Sequence, residues 1–410
     1  MLWSPQQDDA LVQANDWYLN SERQVFHLFG YAGTGKTTLA KHLAEGIDGE
    51  VLFAAYTGKA THVLRSKGCQ NASTIHSLLY ISLDKTRERL VEMEKQLSSL
   101  IQELIDAGFE NIDNHIRVKD LRKLIEAERQ NLKSPNFMLN SESPIKDASL
   151  VIIDECSMVD SKMGADLCSF GTKILVLGDP AQLPPIMGGG YFTEKVKPNI
   201  MLEEIHRQAE DSPIIRMATE TRKGKSLSIG SYGPNCQVLS FDEKIDPDFA
   251  LSFDQILVGK NATRFATNKR MRQLKGFQDP YPVVGDRLVC LRNNPDQGLY
   301  NGSLATVSHV EGVIDQKVIM DVVPEDSTFA QTTVAHEHHF LGKGEELPWY
   351  EKKEANEFDY GYALTVHKSQ GSQWNKVLLF DESSSFRQDK WRWLYTGITR
   401  SAEELTISKR

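Results

Sequence analysis

The chain has 410 residues, a formal net charge of −9, 40% hydrophobic residues and 25% charged residues. This length is enough for two or more domains with separate cores, and the composition is typical of a soluble globular protein. The sequence contains no apolar run that approaches the roughly 20 residues needed for a membrane-spanning helix. The first residues lack the basic, apolar and small-residue order of a signal peptide, so we expect a cytoplasmic protein that does not bind membranes.

Five cysteines are scattered along the chain without a C-x-x-C pair. This spacing favours reduced thiols in a cytosolic compartment over a disulfide framework or a zinc site. The negative net charge argues against a protein whose whole surface is basic for nucleic-acid binding. A local groove with a few lysines and arginines is compatible with it.

The stretch VFHLFGYAGTGKTTLAKHLAEGI, residues 25–47, predicts a strand, a glycine-rich turn and a helix. It contains the pattern G-x-x-x-x-G-K-T, in which glycines let backbone N–H groups surround a phosphate. Lys36 is expected to reach the β and γ phosphates, and Thr37 to offer its hydroxyl to Mg²⁺. The predicted nucleotide loop comprises Gly30, Gly33, Thr34, Gly35, Lys36, Thr37 and Thr38.

Two further apolar stretches end in residues that such a site needs. ASLVIIDECSM predicts a buried parallel strand over 150–153, followed by Asp154 and Glu155. We expect Asp154 to hold Mg²⁺ together with Thr37, and Glu155 to polarise the attacking water. KILVLGDPAQLPP predicts a third strand, after which Gln182 can sense the γ-phosphate. The three elements in this order predict a nucleoside triphosphatase.

Six more motifs follow one another along nearly the whole chain. They are SPQQDDA (4–10), AAYTGKAT (54–61), ASTIHSLL (72–79), LEEIHRQ (202–208), ALTVHKSQG (363–371) and LYTGITRSAEEL (394–405). In this order they resemble the Q motif and motifs Ia, Ib, IV, V and VI of superfamily 1B helicases of the RecD-like and phage Dda-like group. The resemblance implies an α/β fold with two RecA-like parallel-sheet P-loop domains in tandem. It also implies a pin and helical-hairpin insertion in the first domain and an SH3-like β-barrel insertion in the second.

The pattern changes along the chain set the expected domain boundaries. We expect the first RecA-like domain at 1–79 and 149–200, its insertion at 80–148, the second RecA-like domain at 201–276 and 355–410, and its insertion at 277–354.

The resemblance implies further residues at the nucleotide. Gln7 is placed to read adenine, and His206 to stack on the base. Gln370 and Gly371 are implied to face the nucleotide cleft. Arg207 and Arg400 are implied to be arginine fingers, which stabilise charge on the transferring phosphoryl group. Because both lie far along the chain from Lys36, hydrolysis is expected to depend on domain closure.

The resemblance also implies contacts with a single strand. The residues concerned are Thr57, Gly58, Lys59, Thr74, His76, Thr365, His367 and Lys368, with Asn301 and Gly302 at a turn of the second insertion. His367, Lys368 and Ser369 could by themselves suggest a nucleophile with its base. Such catalysis needs an orienting acid and an oxyanion hole, of which the sequence gives no sign.

The region between motif Ib and the strand that precedes Asp154 predicts a helical hairpin. Leu90, Met93, Leu97, Leu100 and Leu104 recur at a spacing of three and four residues, and Val118, Leu121, Ile125 and Leu132 repeat it. The resemblance implies a pin here, with residues 78–82 and 136–140 as its two strands and Phe137 as a base-stacking tip. The alternative is that the hairpin stabilises the domain or docks a partner.

Two stretches of the second half allow competing interpretations. Lys260, Arg264, Lys269, Arg270 and Arg272 suggest either a phosphate-facing edge or a solvated helix face. The histidines of AHEHHF (335–340) do not form H-E-x-x-H, and a solvated edge strand is favoured over a metal site.

The expected function is an ATP- and Mg²⁺-dependent DNA helicase that moves on single-stranded DNA, 5′ to 3′ by resemblance. The expected partners are single strands and duplex junctions, with replication or recombination proteins, and the expected state is a monomer in a bacterial or phage-infected cytoplasm. One alternative is an RNA or RNA–DNA helicase, because the motifs contact mostly phosphates. Another is a nucleic-acid clamp or switch that hydrolyses ATP without unwinding. A metabolic P-loop kinase gives no reason for motifs Ia, Ib and V.

Overall fold

A computed structural model describes most of the chain: residues 3–83, 88–109, 112–132, 136–185, 190–194, 196–204, 212–294, 297–325, 327–347, 351–352 and 354–409. Two residues with a predicted role, His206 and Arg207, lie outside these ranges. None of the helices in the described ranges is long and apolar enough to cross a membrane.

The first half of the described chain contains a parallel sheet, here called the first sheet. In spatial order its six strands are β3 (Ser73–Thr74), β2 (Val51–Ala55), β6 (Leu150–Asp154), β7 (Ile174–Gly178), β1 (Val25–Gly30) and β8 (Ile200–Leu202). The associated helices are α1 (Pro5–Asn20), α2 (Lys36–Glu45), α3 (Gly58–Ser66), α4 (Ile75–Leu79) and α7 (Ser161–Cys168). The central strands are buried over their apolar runs, as the sequence predicts for parallel strands. Because β8 pairs with β1, the first sheet extends two residues beyond the predicted boundary at 200.

The insertion in this domain is a two-stranded pin that carries a helical hairpin. The strands β4 (Tyr80–Leu83) and β5 (Asn136–Leu139) are antiparallel, and the helices are α5 (Glu88–Asp106) and α6 (Ile116–Leu132). Leu100, Leu104 and Val118 are buried against one another between the two helices, which confirms the predicted hairpin.

A second, largely parallel sheet forms the other domain. In the described residues its order is β17 (Ala363–Thr365), β11 (Gln255–Val258), β18 (Trp374–Asp381), β19 (Ser401–Lys409), β10 (Cys236–Ser240) and β9 (Gly230–Gly233), with only β9 antiparallel. Its helices are α8 (Pro213–Arg222), α9 (Pro247–Leu251), α10 (Asn261–Leu274) and α12 (Lys390–Ile398). The predicted α/β fold with parallel sheets is thus confirmed.

An antiparallel sheet, the third sheet, is inserted into the second domain. In the described residues its order is β15 (Gln331–His336), β14 (Lys317–Pro324), β13 (Leu304–Ile314), β12 (Arg287–Cys290) and β16 (Phe358–Tyr360). An isolated bridge from Ala335 to Asn356 joins β15 to the segment that leads into β16. The predicted end at residue 354 is too early, because β16 still pairs with β12. The SH3-like description stays a prediction.

The basic helix α10 fastens the third sheet to the second. Arg264 is buried in an ion pair with Asp359, and Arg272 in an ion pair with Asp286 at 2.9 Å. A buried cation needs such a partner, because the uncompensated charge is costly to desolvate. For these two arginines, the predicted phosphate-facing edge and the solvated face are both wrong.

The histidine cluster lies at a strand–helix junction. β15 ends at His336, and a short helix, α11 (Glu337–Phe340), follows at once. His336 and His339 are buried, and burial lowers the pKa of His339 to about 4. The prediction of a solvated strand is therefore wrong. Among the described residues, no group of His, Cys, Asp and Glu side chains is arranged to hold a metal ion.

Candidate nucleotide and nucleic-acid sites

The P-loop joins β1 to the first turn of α2. Gly33 and Gly35 have φ values of 81° and 79°, a left-handed conformation that glycine adopts without steric cost. Lys36 starts the helix and its Nζ donates to the carbonyls of Gly30 and Tyr31, at 2.7 and 3.0 Å. The predicted phosphate loop is thus folded around its own lysine, with Thr38 on the first helical turn.

Gln7 braces the P-loop from the neighbouring helix. Its side chain is buried, its Nε2 donates to the carbonyl of Thr34 at 3.0 Å, and its Oε1 accepts from the backbone N–H of Ser4 at 3.0 Å. Ser4 in turn caps α1, which makes the pair a capping box. Both polar atoms of the Gln7 side chain therefore bond the protein backbone, whereas the prediction was contact with adenine.

The predicted magnesium and water-activating residues meet at the end of β6. The Thr37 hydroxyl donates to Asp154 Oδ2 at 2.8 Å, and Asp154 Oδ1 accepts from the backbone N–H of Glu155 at 2.8 Å. Glu155 itself has a φ of 53°, a strained conformation for a residue with a side chain. Non-glycine residues held in this way cluster at functional sites.

Charged groups of both domains affect the pKa of Glu155. Burial raises the pKa of its carboxyl, while the charges of Arg400 and Lys36 oppose the rise and those of Asp154 and Asp179 add to it. The predicted lysine, acids and second-domain arginine therefore act on one another at a single site.

Arg400 is held by its own domain. It is 5% exposed, and its guanidinium donates to the carbonyls of Thr396 and Ser372 and to the hydroxyl of Thr399, at 3.1 to 3.2 Å. These bonds fix the guanidinium within the second domain, and its positive charge acts on Glu155 of the first domain.

A loop of the first domain, residues 179–183, is held by three groups of the second. The hydroxyl of Tyr395 donates to Asp179 Oδ2 at 2.6 Å, and the hydroxyl of Thr396 accepts from the N–H of Leu183 at 3.0 Å. Gln370 Nε2 donates to the Leu183 carbonyl, also at 3.0 Å. Gln182, in the same loop, is buried, and its Oε1 has no hydrogen-bond partner among the described residues.

Sequence reasoning missed Tyr395, Thr396 and one further residue, Arg222. The guanidinium of Arg222 lies 3.4 Å from the centre of the Tyr31 ring, so α8 covers the P-loop across the domain interface. Thr396 could have been found, because it lies one helical turn before Arg400. The pairing of Arg222 with Tyr31 has no local signal.

A cavity of about 350 Å³ lies on the same domain interface. Six residues with a predicted nucleic-acid role line it: Thr57, Lys59, Asn301, Gly302, His367 and Lys368. Gln370 lines it as well, so the turn over residues 365–372 reaches both the cavity and the 179–183 loop. Burial lowers the pKa of His367, whose ring packs 5.3 Å from that of Phe386.

The two predicted glycines beside this cavity pack against the other domain. A Cβ on Gly58 would lie 2.7 Å from the Tyr300 side chain of the inserted sheet. A Cβ on Gly371, which has a φ of 76°, would lie 3.0 Å from Ala60 of α3. Both positions therefore need glycine for close approach rather than for contact with a ligand.

Three predicted strand-binding hydroxyls cap local structure instead. Thr57 accepts from the N–H of Ala60, Thr74 from that of Ser77, and Thr365 from that of Lys368. Thr74 and Thr365 are also buried. Threonine is a favoured helix cap because its oxygen satisfies a free N–H of the first turn. The predicted phosphate contacts of Thr74 and Thr365 differ from this arrangement.

Phe137 of the pin and His76 of α4 form an aromatic cluster. Their ring centres are 4.3 Å apart in an edge-to-face arrangement, and Tyr80 lies 4.9 Å from His76. Phe137 is 42% exposed, and in the pin it lies in β5 opposite Ser82 of β4. Its predicted place at the tip is wrong, because the helical hairpin continues beyond these strands.

Together, a P-loop, two consecutive acids at the end of another strand of the same sheet, and an arginine from a second parallel-sheet domain form the arrangement of a two-domain P-loop nucleoside triphosphatase. A family model for the AAA domain matches residues 3–239, and one for the UvrD-like helicase C-terminal domain matches residues 360–408. The chain belongs to this AAA-domain family, and its relatives are superfamily 1B helicases of the RecD, Pif1 and Dda type.

Individual relatives agree with this family. The ATP-dependent RecD2 DNA helicase of Deinococcus radiodurans is 25% identical over 407 residues, covering 92% of this chain and 46% of the relative. The ATP-dependent DNA helicase Dda of Enterobacteria phage T4 is 28% identical over 210 residues, covering 48% of this chain and 37% of Dda. This chain thus spans less than half the length of these two relatives.

A solved structure shares the fold over almost the whole chain. Bacteroides Pif1 bound to single-stranded DNA is 16% identical, with a TM-score of 0.55 over 99% of this chain and 92% of that chain.

Proposed function

We propose that this protein is an ATP-dependent DNA helicase that moves 5′ to 3′ along single-stranded DNA and separates duplex ahead of it. The observation that carries the proposal is the 365–372 turn. Gln370 of this turn holds the loop that carries Gln182, while His367 and Lys368 of the same turn line the cavity. One short segment thereby connects the nucleotide site with a channel suited to a strand.

The nucleotide chemistry follows from the first-domain residues. Lys36 and the P-loop N–H groups hold the phosphates of ATP. The Thr37 hydroxyl and the Asp154 carboxylate are adjacent oxygen donors, which fits the preference of Mg²⁺ for oxygen ligands. Bound there, Mg²⁺ would neutralise charge on the β and γ phosphates. Glu155 accepts a proton from the attacking water, and the unpartnered Oε1 of Gln182 orients that water.

The second domain completes the site. Arg400 supplies positive charge to the transferring phosphoryl group when the domains close, and the other finger, Arg207, is proposed to do the same. Closure and opening then alter the cavity, because the 365–372 turn moves with the second domain. Alternating grip on the strand is the expected consequence.

The proposed substrate is a single strand next to a duplex junction, bound by a monomer in the cytoplasm. Lys59 and Lys368 bring positive charge to the cavity for phosphates, which are read without base specificity. The pin and its helical hairpin are proposed to lie where the strands separate. Replication or recombination proteins are proposed as partners.

Strand separation on tailed duplexes tests the proposal. DNA and RNA duplexes with a 5′ or a 3′ single-stranded tail are mixed with the protein, ATP and Mg²⁺, and strand release is followed by fluorescence. We expect release of the 5′-tailed DNA duplex, with loss of release in Arg400→Ala. Release of RNA duplexes alone would support the RNA helicase, and ATP hydrolysis without any strand release would support the clamp.

A further inference from the structure

One hydrogen-bonded link across the domain interface has no role in the proposed hydrolysis or strand binding. The hydroxyl of Tyr395, on α12, accepts from the backbone N–H of Ala32 in the P-loop at 3.2 Å and donates to Asp179 Oδ2 at 2.6 Å. Asp179 directly follows β7, which lies beside the P-loop strand β1, and its Oδ1 accepts from the N–H of Ala181. A single second-domain hydroxyl thus connects two nucleotide-site elements of the first domain.

The surroundings make this link specific. Tyr395 and Asp179 are both buried, and a buried carboxylate is costly unless it accepts hydrogen bonds. Burial, followed by the charge of Asp179, raises the pKa of the Tyr395 hydroxyl well above its usual value, so the group remains a donor at neutral pH. The Ala32 N–H belongs to the loop that surrounds the phosphates, so any change in that loop acts directly on Tyr395.

We propose that Tyr395 is a positioning residue that makes the geometry of the P-loop and of Asp179 depend on the position of the second domain. The hydroxyl does not take part in the reaction. It transmits strand binding at the 365–372 turn to the phosphate loop, because that turn and α12 belong to the same domain. This inference rests on the proposed strand-stimulated ATP hydrolysis.

The chain offers a closely matched control. The hydroxyl of Tyr362 donates to Asp286 Oδ1 at 2.9 Å and accepts from the N–H of Arg287 at 3.2 Å, also in a buried setting. The chemistry is that of Tyr395, but the partners lie between the second and third sheets. Tyr395→Phe and Tyr362→Phe therefore remove the same atom and take one hydrogen bond from a buried carboxylate, in different places.

The experiment measures ATP turnover of the full chain with and without an oligo-thymidine strand. In Tyr395→Phe we expect kcat with the strand to fall about tenfold or more, the change that corresponds to one hydrogen bond to a charged group. The KM for ATP should change less than about threefold, because the P-loop keeps its phosphate contacts. Tyr362→Phe should keep the stimulation by the strand.

A second variant and a stability measurement keep the test decisive. Asp179→Asn removes the charge that accepts the Tyr395 hydrogen bond and should lower the stimulated kcat in the same way. Thermal unfolding of both tyrosine variants shows whether they lose comparable stability. If Tyr395→Phe is stimulated as strongly as Tyr362→Phe, the positioning role is wrong while the proposed function stands. If the parent protein shows no strand-stimulated hydrolysis, the proposed function fails first.

Discussion

The two parallel-sheet domains share an architecture but differ in the segments at the ends of their strands. In the first sheet, the strands β1, β6 and β7 lead into the P-loop, the Asp154–Glu155 pair and the 179–183 loop. In the second, β17 leads into the 365–372 turn, and α12 leads to Arg400. In the proposed function, the first domain thus carries the groups that bind the phosphates and activate the attacking water. The second domain carries the finger arginine and the groups that hold the first-domain loops in place.

Removal of the phosphate clamp tests the role given to the first domain and has the largest expected effect. Lys36→Ala should reduce ATP hydrolysis below detection, because the Nζ that reaches the phosphates is lost. Lys41→Ala on the same helix is the control, since Lys41 Nζ lies on the exposed surface and contacts the carbonyl of Lys67. ATP turnover of the two variants is compared by measuring phosphate release. Substantial turnover in Lys36→Ala would contradict the role of the P-loop.

Removal of the finger tests the role given to the second domain. Arg400→Ala should leave ATP affinity largely intact while hydrolysis falls, on the order of 10³- to 10⁵-fold for a finger arginine. Arg392→Ala is the matched change, because Arg392 pairs with Asp389 on the exposed face of α12. Affinity is measured with a fluorescent ATP analogue and turnover by phosphate release. Equal losses of affinity and turnover would contradict the finger role.

The pH dependence of Glu155 sharpens the division of roles. Because its pKa is raised, kcat/KM should rise with pH through a value above that of an ordinary glutamate. The same shift sets the sign for stability: the folded state binds this proton more tightly, so stability is lost as the pH rises through the folded-state pKa. Glu155→Gln should abolish hydrolysis, because the group that accepts the proton of the attacking water is lost, and it should raise the Tm at neutral pH, because no buried carboxyl then has to ionise.

A pH series of thermal unfolding provides the control for that prediction. The advantage of Glu155→Gln over the parent should shrink as the pH falls below the raised pKa, where Glu155 is itself neutral. A lower Tm for Glu155→Gln at neutral pH would contradict the raised pKa.

The smallest effect on ATP turnover is expected from the insertion, which belongs to neither role. Leu83 and Asn136 are opposite one another in the pin, so a two-residue Asn-Gly turn can replace residues 84–135. Strand-stimulated hydrolysis should stay within about twofold, since both sites lie on the sheet domains. Unwinding of tailed duplexes should weaken. Unwinding at the parental rate would place the hairpin outside the strand-separating region.

The sequence predicted those parts of the site that depend on local order. The P-loop, Asp154 and Glu155 follow directly from strand-to-turn patterns, and the structure places Thr37 against Asp154 as expected. The helical hairpin could also be predicted from the sequence, because an apolar spacing of three and four residues indicates packed helices without knowledge of the rest of the fold.

Other features depended on contacts that the motifs and the alternation of residues did not indicate. The hydrogen bond from the Ala32 N–H to the Tyr395 hydroxyl joins residues 363 positions apart. Thr74 and Thr365 were expected to contact the phosphates of a nucleic-acid strand, but their hydroxyls accept hydrogen bonds from nearby backbone N–H groups. In the histidine cluster, alternation suggested a strand, whereas the chain turns into a helix after His336. Tertiary packing decided the first case, whereas local capping contacts decided the other two.

The central claim is that one interface serves both the nucleotide and the strand, and linkage between the two ligands tests it most directly. The affinity for a fluorescent oligo-thymidine strand is measured with and without a non-hydrolysable ATP analogue, and the affinity for the analogue with and without the strand. Thermodynamic reciprocity requires the two factors to be equal. We expect a common factor clearly different from one, reduced in Tyr395→Phe but kept in Tyr362→Phe. A factor of one for the parent protein would contradict a shared interface.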